Sequence, residues 1–422
     1  MPTPRTTRRS DLYQVGFALA VALFGTTMMS PLYPLYEQRL SLTNLTVTLV
    51  FATYAAVALI CLLLFGDRSD QVGRRPVLMA GLGAALAAGL LLLTATAQPE
   101  LFAARVFSGI SGGLFTGTAT AYLLDLAPAS APSRGTLAAT FANVAGLGLG
   151  ALGSGIVSQY ISFPLRTIYL VNVVLVVAAM IALHRTPETV TPAEHTRAPR
   201  RLPRLPPGLR VTFLETGLAG FTGYLVFGVF SASVPSVLTQ IVGQNNRAVI
   251  GAVIAVVFLT STIGSSAQTM LGERRALMAG CALLAAGLAL LAAAVAASSL
   301  SLIIAAGLIA GTGQGLSFRG GLTMLTSAAP PRDRGQLTSA YFAVLFLGLA
   351  IPVVGIGLTA GHAGLRDTVI AAALLAAGLA IIAQVALAIT ARNRQTPGRP
   401  GRRHRALLGH HPQHTRTGGC AR

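Results

Sequence analysis

The chain has 422 residues, 53% of them hydrophobic, and a mean hydropathy of +0.68, which excludes an ordinary soluble globular domain. The formal net charge is +19, and every basic side chain that contributes to it is an arginine, because the sequence contains no lysine. A basic excess of this size would fit a nucleic-acid-binding protein or a membrane protein, and the positions of the arginines distinguish the two.

Charged residues divide the chain into neutral segments, each compatible with the ~20 residues that a helix needs to cross the hydrocarbon core. We predict twelve crossings in two blocks of six. The predicted spans are 12–34, 43–65, 77–97, 101–123, 136–158 and 165–183, then 211–238, 247–270, 276–297, 301–327, 336–359 and 368–390. The fold class is therefore an all-α integral membrane protein with twelve transmembrane helices in two pseudo-symmetric six-helix halves.

The arginines outside these spans are distributed unevenly between the two sides of the membrane. If both termini lie inside, almost all of them fall in inner segments, and the outer loops hold Arg39, Arg166, Arg247 and Arg366. The positive-inside rule then predicts two cytoplasmic termini, and nucleic-acid binding loses its main support. Abundant alanine, glycine and arginine without lysine suggest a GC-rich bacterial gene, so the predicted location is the bacterial plasma membrane.

The turn between spans 2 and 3, FGDRSDQVGRRP at residues 65–76, concentrates charge. Its glycines permit a tight turn, and Asp70 can accept hydrogen bonds from a facing helix N-terminus. Arg74 or Arg75 can pair with Asp125 at the inner end of span 4. The alternative interpretation is that these charges simply end span 2 and orient the loop.

The spacing of this turn resembles the signature loop of the major facilitator superfamily. The matching residues are Gly66, Asp70, Gly73, Arg74 and Arg75, and GERR at 272–275 is a degenerate second copy. The resemblance implies that Asp70 contacts the start of span 11, near Gly335, and holds the outward-open state. We therefore predict a conformational latch that consists of Gly66, Asp70, Gly73, Arg74, Arg75 and Asp125.

The two blocks of spans also repeat each other in sequence. Arg74 aligns with Arg274 and Arg134 with Arg334 at a common shift, which indicates an internal repeat. Both blocks cross in the same sense, as in transporters that have a central site. We predict an N-terminal half over 1–183, a cytoplasmic linker over 184–210, a C-terminal half over 211–391 and a disordered basic tail over 392–422.

Three ionisable residues within the spans are coupling candidates, because a charge in the membrane is costly unless it is paired or hydrated. Arg105 lies in LFAARVFSGISGG, which resembles a span-4 signature that the family associates with proton coupling; the alternative is snorkelling to the outer headgroups. Glu215 in span 7 would carry the proton or pair with Arg319 in span 10, or it is a helix-end carboxylate open to water. No acid lies near the midplane, so proton coupling is implied mainly by the resemblance.

Glycine in spans 4 and 5 is expected at positions of close helix packing. These positions are Gly109, Gly146 and Gly150. The span-5 segment GLGLGALGSG resembles the signature of the antiporter branch, which normally has proline directly after the glycine at 150. Ala151 stands there instead, which leaves the direction of transport open.

Polar and aromatic residues at suitable depth form the predicted substrate cavity. They are Asn143, Phe221, Tyr224, Phe227, Gln314 and Tyr341. Aromatic surfaces with a few hydrogen-bonding groups suit an amphipathic or aromatic solute. For each residue considered alone, packing or lipid contact is the more common role.

These features predict a secondary active transporter, most similar to the drug and metabolite:proton antiporter branch, that exports a small amphipathic or aromatic compound in exchange for protons. Proton-coupled uptake of a small organic solute is the alternative, and a non-transporting membrane sensor is a less favoured one. An enzyme is not predicted, because the spans contain no set of nucleophile, base and acid. We expect no cofactor and no metal, a monomer, and small-molecule substrate, protons and lipid as partners.

Overall fold

A computed structural model describes residues 9–65, 68–128, 131, 133–190, 207–330 and 334–395 of the chain. All the regular secondary structure in these ranges is helical. Gly66, the greater part of the predicted linker and the tail from residue 396 lie outside the described residues. The backbone of Asp70 lies in the short helix Arg68–Val72, and its side chain is outside the description.

The N-terminal half consists of six spans. Span 1 comprises Arg9–Thr27, the 3-10 turn Ser30–Leu32 and Tyr33–Leu40; span 2 is Asn44–Phe65; span 3 is Arg74–Thr94; span 4 comprises Gln98–Phe115 and Thr118–Asp125; span 5 is Ser133–Tyr160; span 6 is Pro164–His184.

The C-terminal half follows the same plan after a 3-10 turn at Pro207–Leu209. Span 7 comprises Arg210–Gly228, the π-helical turn Val229–Ser233 and Val234–Gln240; span 8 is Arg247–Leu271; span 9 is Glu273–Ala296; span 10 is Leu300–Ala328; span 11 is Arg334–Ala363; span 12 is Leu365–Gln395.

Eleven of the described helical stretches are long and apolar enough to cross a membrane. Of the twelve predicted crossings, span 4 is the one that is not among these eleven. Its helix breaks at Gly117, which has a φ of +87°, and its first segment contains Glu100 and Arg105. Because of the break and the two charges, span 4 is not one continuous apolar helix. Its two segments together still cover the predicted range 101–123.

Spans 1 and 7 extend further outward than we predicted from their apolar stretches. Both continue past an irregular turn into a short helix with proline in its first turn, Pro34 in span 1 and Pro235 in span 7. Proline is favoured there because a helix start needs no amide hydrogen from it. Glu37 and Gln240 therefore lie on helical extensions that face each other across the two halves.

Two spans of the C-terminal half start at side-chain caps. The side chain of Asn246 accepts hydrogen bonds from the amides of Ala248 and Val249, and that of Ser299 accepts one from Leu302. Such caps satisfy amides that have no partner within the helix. The polar SSLS segment at 298–301, between spans 9 and 10, thus contains the cap of span 10.

Candidate functional site

Hydrogen bonds join the two halves at the ends of the spans that we predict to face outward. The carboxylate of Glu37 in span 1 accepts a hydrogen bond from the Ser236 hydroxyl at 2.7 Å and one from the Gln240 amide at 3.2 Å. The backbone amide of Arg247 in span 8 donates to Gln159 of span 5 at 3.0 Å, and its guanidinium donates to the carbonyl of Ser158. Both pairs of spans are closed on the outer side.

Backbone contacts at glycine bring spans 5 and 8 together at the same level. A Cβ atom on Gly155 would collide with the carbonyl of Arg247, and one on Gly251 would collide with the carbonyl of Ala151. Spans 2 and 11 meet in the same way, since a Cβ atom on Gly357 would lie 3.0 Å from the Cα of Leu45. Only glycine allows helices to approach this closely. We name these contacts the outer seal.

A cluster of aromatic rings lies where the two halves meet. The Tyr224 ring centroid is 5.7 Å from that of Phe227, 5.8 Å from that of Phe318 and 6.5 Å from that of Phe346. The aromatic cluster comprises Tyr224, Phe227, Phe258, Phe318, Tyr341, Phe342 and Phe346. All its members come from the C-terminal half, and several of them pack against a hydrophobic core that includes spans 1 and 2, so the cluster faces the N-terminal half across the interface.

The structure brings three of the predicted cavity residues, Tyr224, Phe227 and Tyr341, into the aromatic cluster. The buried Tyr341 hydroxyl also donates to the carbonyl of Phe318 at 3.3 Å. The structure does not bring the other three there. Gln314 accepts a hydrogen bond from the Ser261 hydroxyl inside the C-terminal half. The two remaining residues are Asn143, which is exposed on span 5, and Phe221, whose backbone packs against Gly348.

Sequence reasoning missed the other four members of the aromatic cluster. They are Phe258 in span 8, Phe318 in span 10, and Phe342 and Phe346 in span 11. A phenylalanine in an apolar span gives no signal that separates an interface position from a lipid-facing one, so tertiary packing is needed to identify it.

Arg105 is buried inside the N-terminal half, with 2% of its surface exposed, and does not reach the outer headgroups. Its guanidinium donates to the carbonyl of Thr26 at 3.1 Å and to the hydroxyl of Tyr33 at 2.6 Å. It also lies 5.7 Å from the ring centroid of Tyr33 and 5.9 Å from that of Tyr54. Neutral oxygens and ring faces therefore stabilise this cation, and no described carboxylate forms an ion pair with it.

A small cavity of about 10 Å³ adjoins Arg105. Three buried polar atoms of its lining have no hydrogen-bond partner among the described residues: Arg105 Nε, Ser111 Oγ and Asn172 Oδ1. This volume is close to what one water molecule needs, and three polar atoms are enough to bind one. The arrangement can therefore hydrate the cation from inside the helix bundle.

The predicted packing glycines lie where helices of the N-terminal half touch. A Cβ atom on Gly109 would lie 2.7 Å from the carbonyl oxygen of Tyr54 in span 2. On Gly146 it would lie 2.5 Å from that of Ala20, and on Gly150 2.6 Å from that of Phe24, both in span 1. These contacts hold spans 1, 2, 4 and 5 around the Arg105 site.

Glu215 is buried in span 7, with 5% of its surface exposed, so it is not open to water in this structure. Its Oε1 atom is 2.5 Å from the hydroxyl of Thr390 in span 12, and its Oε2 atom has no partner among the described residues. Arg319 is partly buried on span 10 and forms no ion pair with Glu215. The pairing of these two residues that we considered from sequence is not formed.

On the inner face, four residues of the predicted latch, Gly73, Arg74, Arg75 and Asp125, lie close to the first residues after span 6. Arg74 Nε is 3.3 Å from Asp125 Oδ2, and Glu188 accepts hydrogen bonds from the backbone amides of Arg74 and Arg75, both at 2.9 Å. Gly73 precedes these amides with a φ of +110°, which side chains rarely adopt. Glu188 thus caps span 3, a role that no sequence motif indicated.

We expect Glu188→Ala to destabilise the protein by about 1–2 kcal/mol, because it leaves two amides at the start of span 3 without an acceptor. The midpoint of thermal unfolding in detergent should fall, and Glu188→Gln, which keeps one acceptor oxygen, should fall less. An unchanged midpoint in Glu188→Ala would show that water replaces this cap.

The sequence of the chain matches a known protein family. A sequence model described as Major Facilitator Superfamily matches residues 15–268 and, in an overlapping second match, 216–414. The bacillibactin exporter of Bacillus subtilis (strain 168) is 36% identical over 95 residues, which are 21% of this chain and 24% of that protein. The aligned part is thus about a quarter of the exporter.

Solved structures of transporters share the fold. A POT family transporter in complex with a thioalcohol-conjugated peptide has a TM-score of 0.74 at 13% identity, covering 91% of this chain and 96% of that one. A bacterial homologue of the human lysosomal transporter Spinster, inward-facing and occupied, has a TM-score of 0.68 at 14% identity over 92% and 98% of the two chains. A D-xylose–proton symporter has a TM-score of 0.68 at 16% identity over 88% and 96%.

Proposed function

The chain belongs to the major facilitator superfamily and is a multi-pass membrane transporter, not an enzyme. From this premise we propose that it exports a small amphipathic or aromatic organic compound in exchange for protons. Alternating access between the two halves would expose the compound first to the cytoplasm and then to the outside. The proposal includes a bacterial plasma membrane, two cytoplasmic termini and a monomeric transporter.

The aromatic cluster at the junction of the two halves is the observation that carries this proposal. A solute bound between the halves would meet the rings of Tyr224 and Phe227 and few charged groups. Rings of this kind bind flat or amphipathic compounds by stacking and by apolar contact, whereas a sugar or a small ionic solute needs more hydrogen-bonding groups. The interface therefore favours an aromatic solute.

Export is supported by the local similarity to the bacillibactin exporter and by the glycine-rich span 5. Uptake is the second candidate, because Ala151 replaces the proline that is usual in the antiporter branch. The latch residues around Asp70 and the coupling candidates Arg105, Glu215 and Arg319 would link proton movement to the change of access in either direction.

The test is proton flux in inside-out membrane vesicles that hold an imposed pH gradient. Aromatic cations, antibiotics, sugars and organic acids are added one at a time, and collapse of the gradient by an aromatic or amphipathic class is the expected result. Asp70→Asn should slow the response by about tenfold, a loss of ~1.4 kcal/mol, if the latch operates. Wild-type levels of the variant in the membrane are the control.

A response to sugars or small acids alone would contradict the proposed substrate class. No response to any compound would contradict proton-coupled export, and accumulation of labelled solute in whole cells would then test uptake. A full response in Asp70→Asn would remove the latch and leave the export proposal intact.

A further inference from the structure

The hydroxyl of Thr390 has one hydrogen and lies within hydrogen-bond distance of two oxygens. It is 2.5 Å from Glu215 Oε1 and 3.1 Å from the carbonyl oxygen of Ala386, one turn earlier in span 12. A threonine hydroxyl has one hydrogen to donate and lone pairs with which to accept. If Thr390 donates to Ala386, as helical threonines commonly do, the hydrogen between Thr390 and Glu215 must come from Glu215.

The surroundings of Glu215 favour the same protonation state. An ionised carboxylate would be buried with one oxygen unpartnered and with no ion pair to any described cation. Burial of an unpaired charge is far more costly than burial of a neutral acid that is hydrogen-bonded. A protonated Glu215 that donates to Thr390 leaves a carbonyl oxygen as its one unpaired atom.

Arg274 lies against the same turn of span 12. Its guanidinium donates to the carbonyl of Leu387, three residues before Thr390, and its buried Nε atom has no partner among the described residues. Residues three apart lie on one face of a helix. Glu215 and Arg274 therefore approach one turn of span 12, and each has an unused polar atom.

Packing supports this convergence of spans 7, 9 and 12. One hydrophobic cluster contains Ala219 of span 7, Leu277 of span 9 and Leu387 of span 12. Glu215 is one helical turn before Ala219, and Arg274 is three residues before Leu277. The three polar residues thus form the layer directly on the cytoplasmic side of this cluster.

We propose that Thr390 and Arg274 are the two alternative partners of Glu215 and form a proton-dependent switch between spans 7, 9 and 12. Protonated Glu215 donates to Thr390 across the 2.5 Å contact between the two side chains. When the change of access opens this layer to water, Glu215 releases its proton to that water, and its carboxylate turns to the guanidinium of Arg274, which leaves the carbonyl of Leu387. This inference rests on the proposed function and assigns the coupled proton to Glu215, with Thr390 and Arg274 as positioning residues.

The other described ionisable side chains on the helices packed against span 7 do not form ion pairs with Glu215. Glu273 accepts from the Ser327 hydroxyl, and Arg334 donates to the carbonyl of Ala329. The remaining groups are Arg210, Arg275, Cys281, Arg319 and Tyr341 towards the inner side, and His362, Arg366 and Asp367 at the outer ends. The side chains of Arg392 and Arg394 in span 12 lie outside the described ones.

The test is the pH dependence of solute-driven proton flux in inside-out vesicles. Thr390→Val removes the acceptor of the acid proton, favours the ionised form and should shift the midpoint of the profile to lower pH by about one unit. Arg274→Gln removes the cation that stabilises the ionised form and should shift the midpoint to higher pH. Thr390→Ser keeps the hydroxyl and should restore the wild-type midpoint.

Thr359→Val is the matched control, since this exposed threonine of span 11 donates only to helix carbonyls. Shifts in opposite directions cannot come from a purely structural loss, which would lower the rate at every pH. If wild type responds to a solute but neither variant moves the midpoint, the switch is overturned and export stands. If wild type responds to nothing, the proposed function is overturned instead.

Infrared difference spectroscopy tests the protonation of Glu215 without any solute. The carbonyl band of a protonated carboxylic acid should be present in wild type, absent in Glu215→Gln and displaced in Thr390→Val. A spectrum that Glu215→Gln leaves unchanged throughout a pH titration would overturn the inference, whatever the transport assays give.

Discussion

Valine at Gly155 or at Gly251 is expected to prevent closure of the outer seal and to lower transport by roughly 30- to 150-fold, which corresponds to about 2–3 kcal/mol. A Cβ atom at either position collides with a backbone carbonyl of the opposite half, and a carbonyl in a helix cannot move aside as a side chain can. The variants would therefore populate states that are open on the outer side.

Initial rates of solute-driven proton flux measure this effect, with Gly83→Val as the matched control. A Cβ atom at Gly83 in span 3 has no neighbouring atom within 4 Å, so that variant carries the same change in helix propensity without the collision. A cysteine at Ser236 should also react faster with an impermeant maleimide in the Gly155 variant. Wild-type rates and wild-type labelling in both seal variants would contradict a role for the glycine contacts.

Arg105→Lys should lower transport by roughly 10- to 150-fold even though it keeps the positive charge. The guanidinium donates hydrogen bonds to both the Thr26 carbonyl and the Tyr33 hydroxyl, and it lies near two ring faces. A lysine ammonium is a compact point charge on a flexible chain and cannot reproduce this planar fork. The buried oxygens would lose their donors, at a cost of about 1.5–3 kcal/mol.

The same flux assay, normalised to the amount of protein in the membrane, checks this prediction. Arg166→Lys is the control, because Arg166 is exposed at the outer end of span 6. Recovery of the wild-type rate in Arg105→Lys would show that charge alone is needed at this position. A wild-type rate in Arg105→Met as well would remove Arg105 from the transport cycle.

Span 4 shows where local composition stops being a sufficient guide. Its length was predictable, but the break at Gly117 and the inward direction of Arg105 were not. An arginine a few residues inside a span can reach either the headgroups or the bundle interior, depending on the rotation of the helix. That rotation is set by contacts such as the one between Gly109 and Tyr54 of span 2.

The partners of the buried charged residues show the same dependence on packing. Glu215 contacts Thr390, which is 175 positions away, and not Arg319, the partner considered from sequence. Glu188 caps span 3 from 114 positions away. No periodicity or spacing connects such residues, because a helix can present a polar group to any neighbour that has a suitable atom at the same depth.

The membrane class, the length of the spans and the two-half plan follow from the sequence because they depend on how each segment partitions between water and lipid. Apolar length and arginine position are properties of one segment at a time. The outer seal, the aromatic cluster and the Glu215 contacts depend instead on the depth and rotation of two or three helices at once. Those quantities are set by how small residues of one helix pack against the backbone of another, so only the tertiary structure gives them.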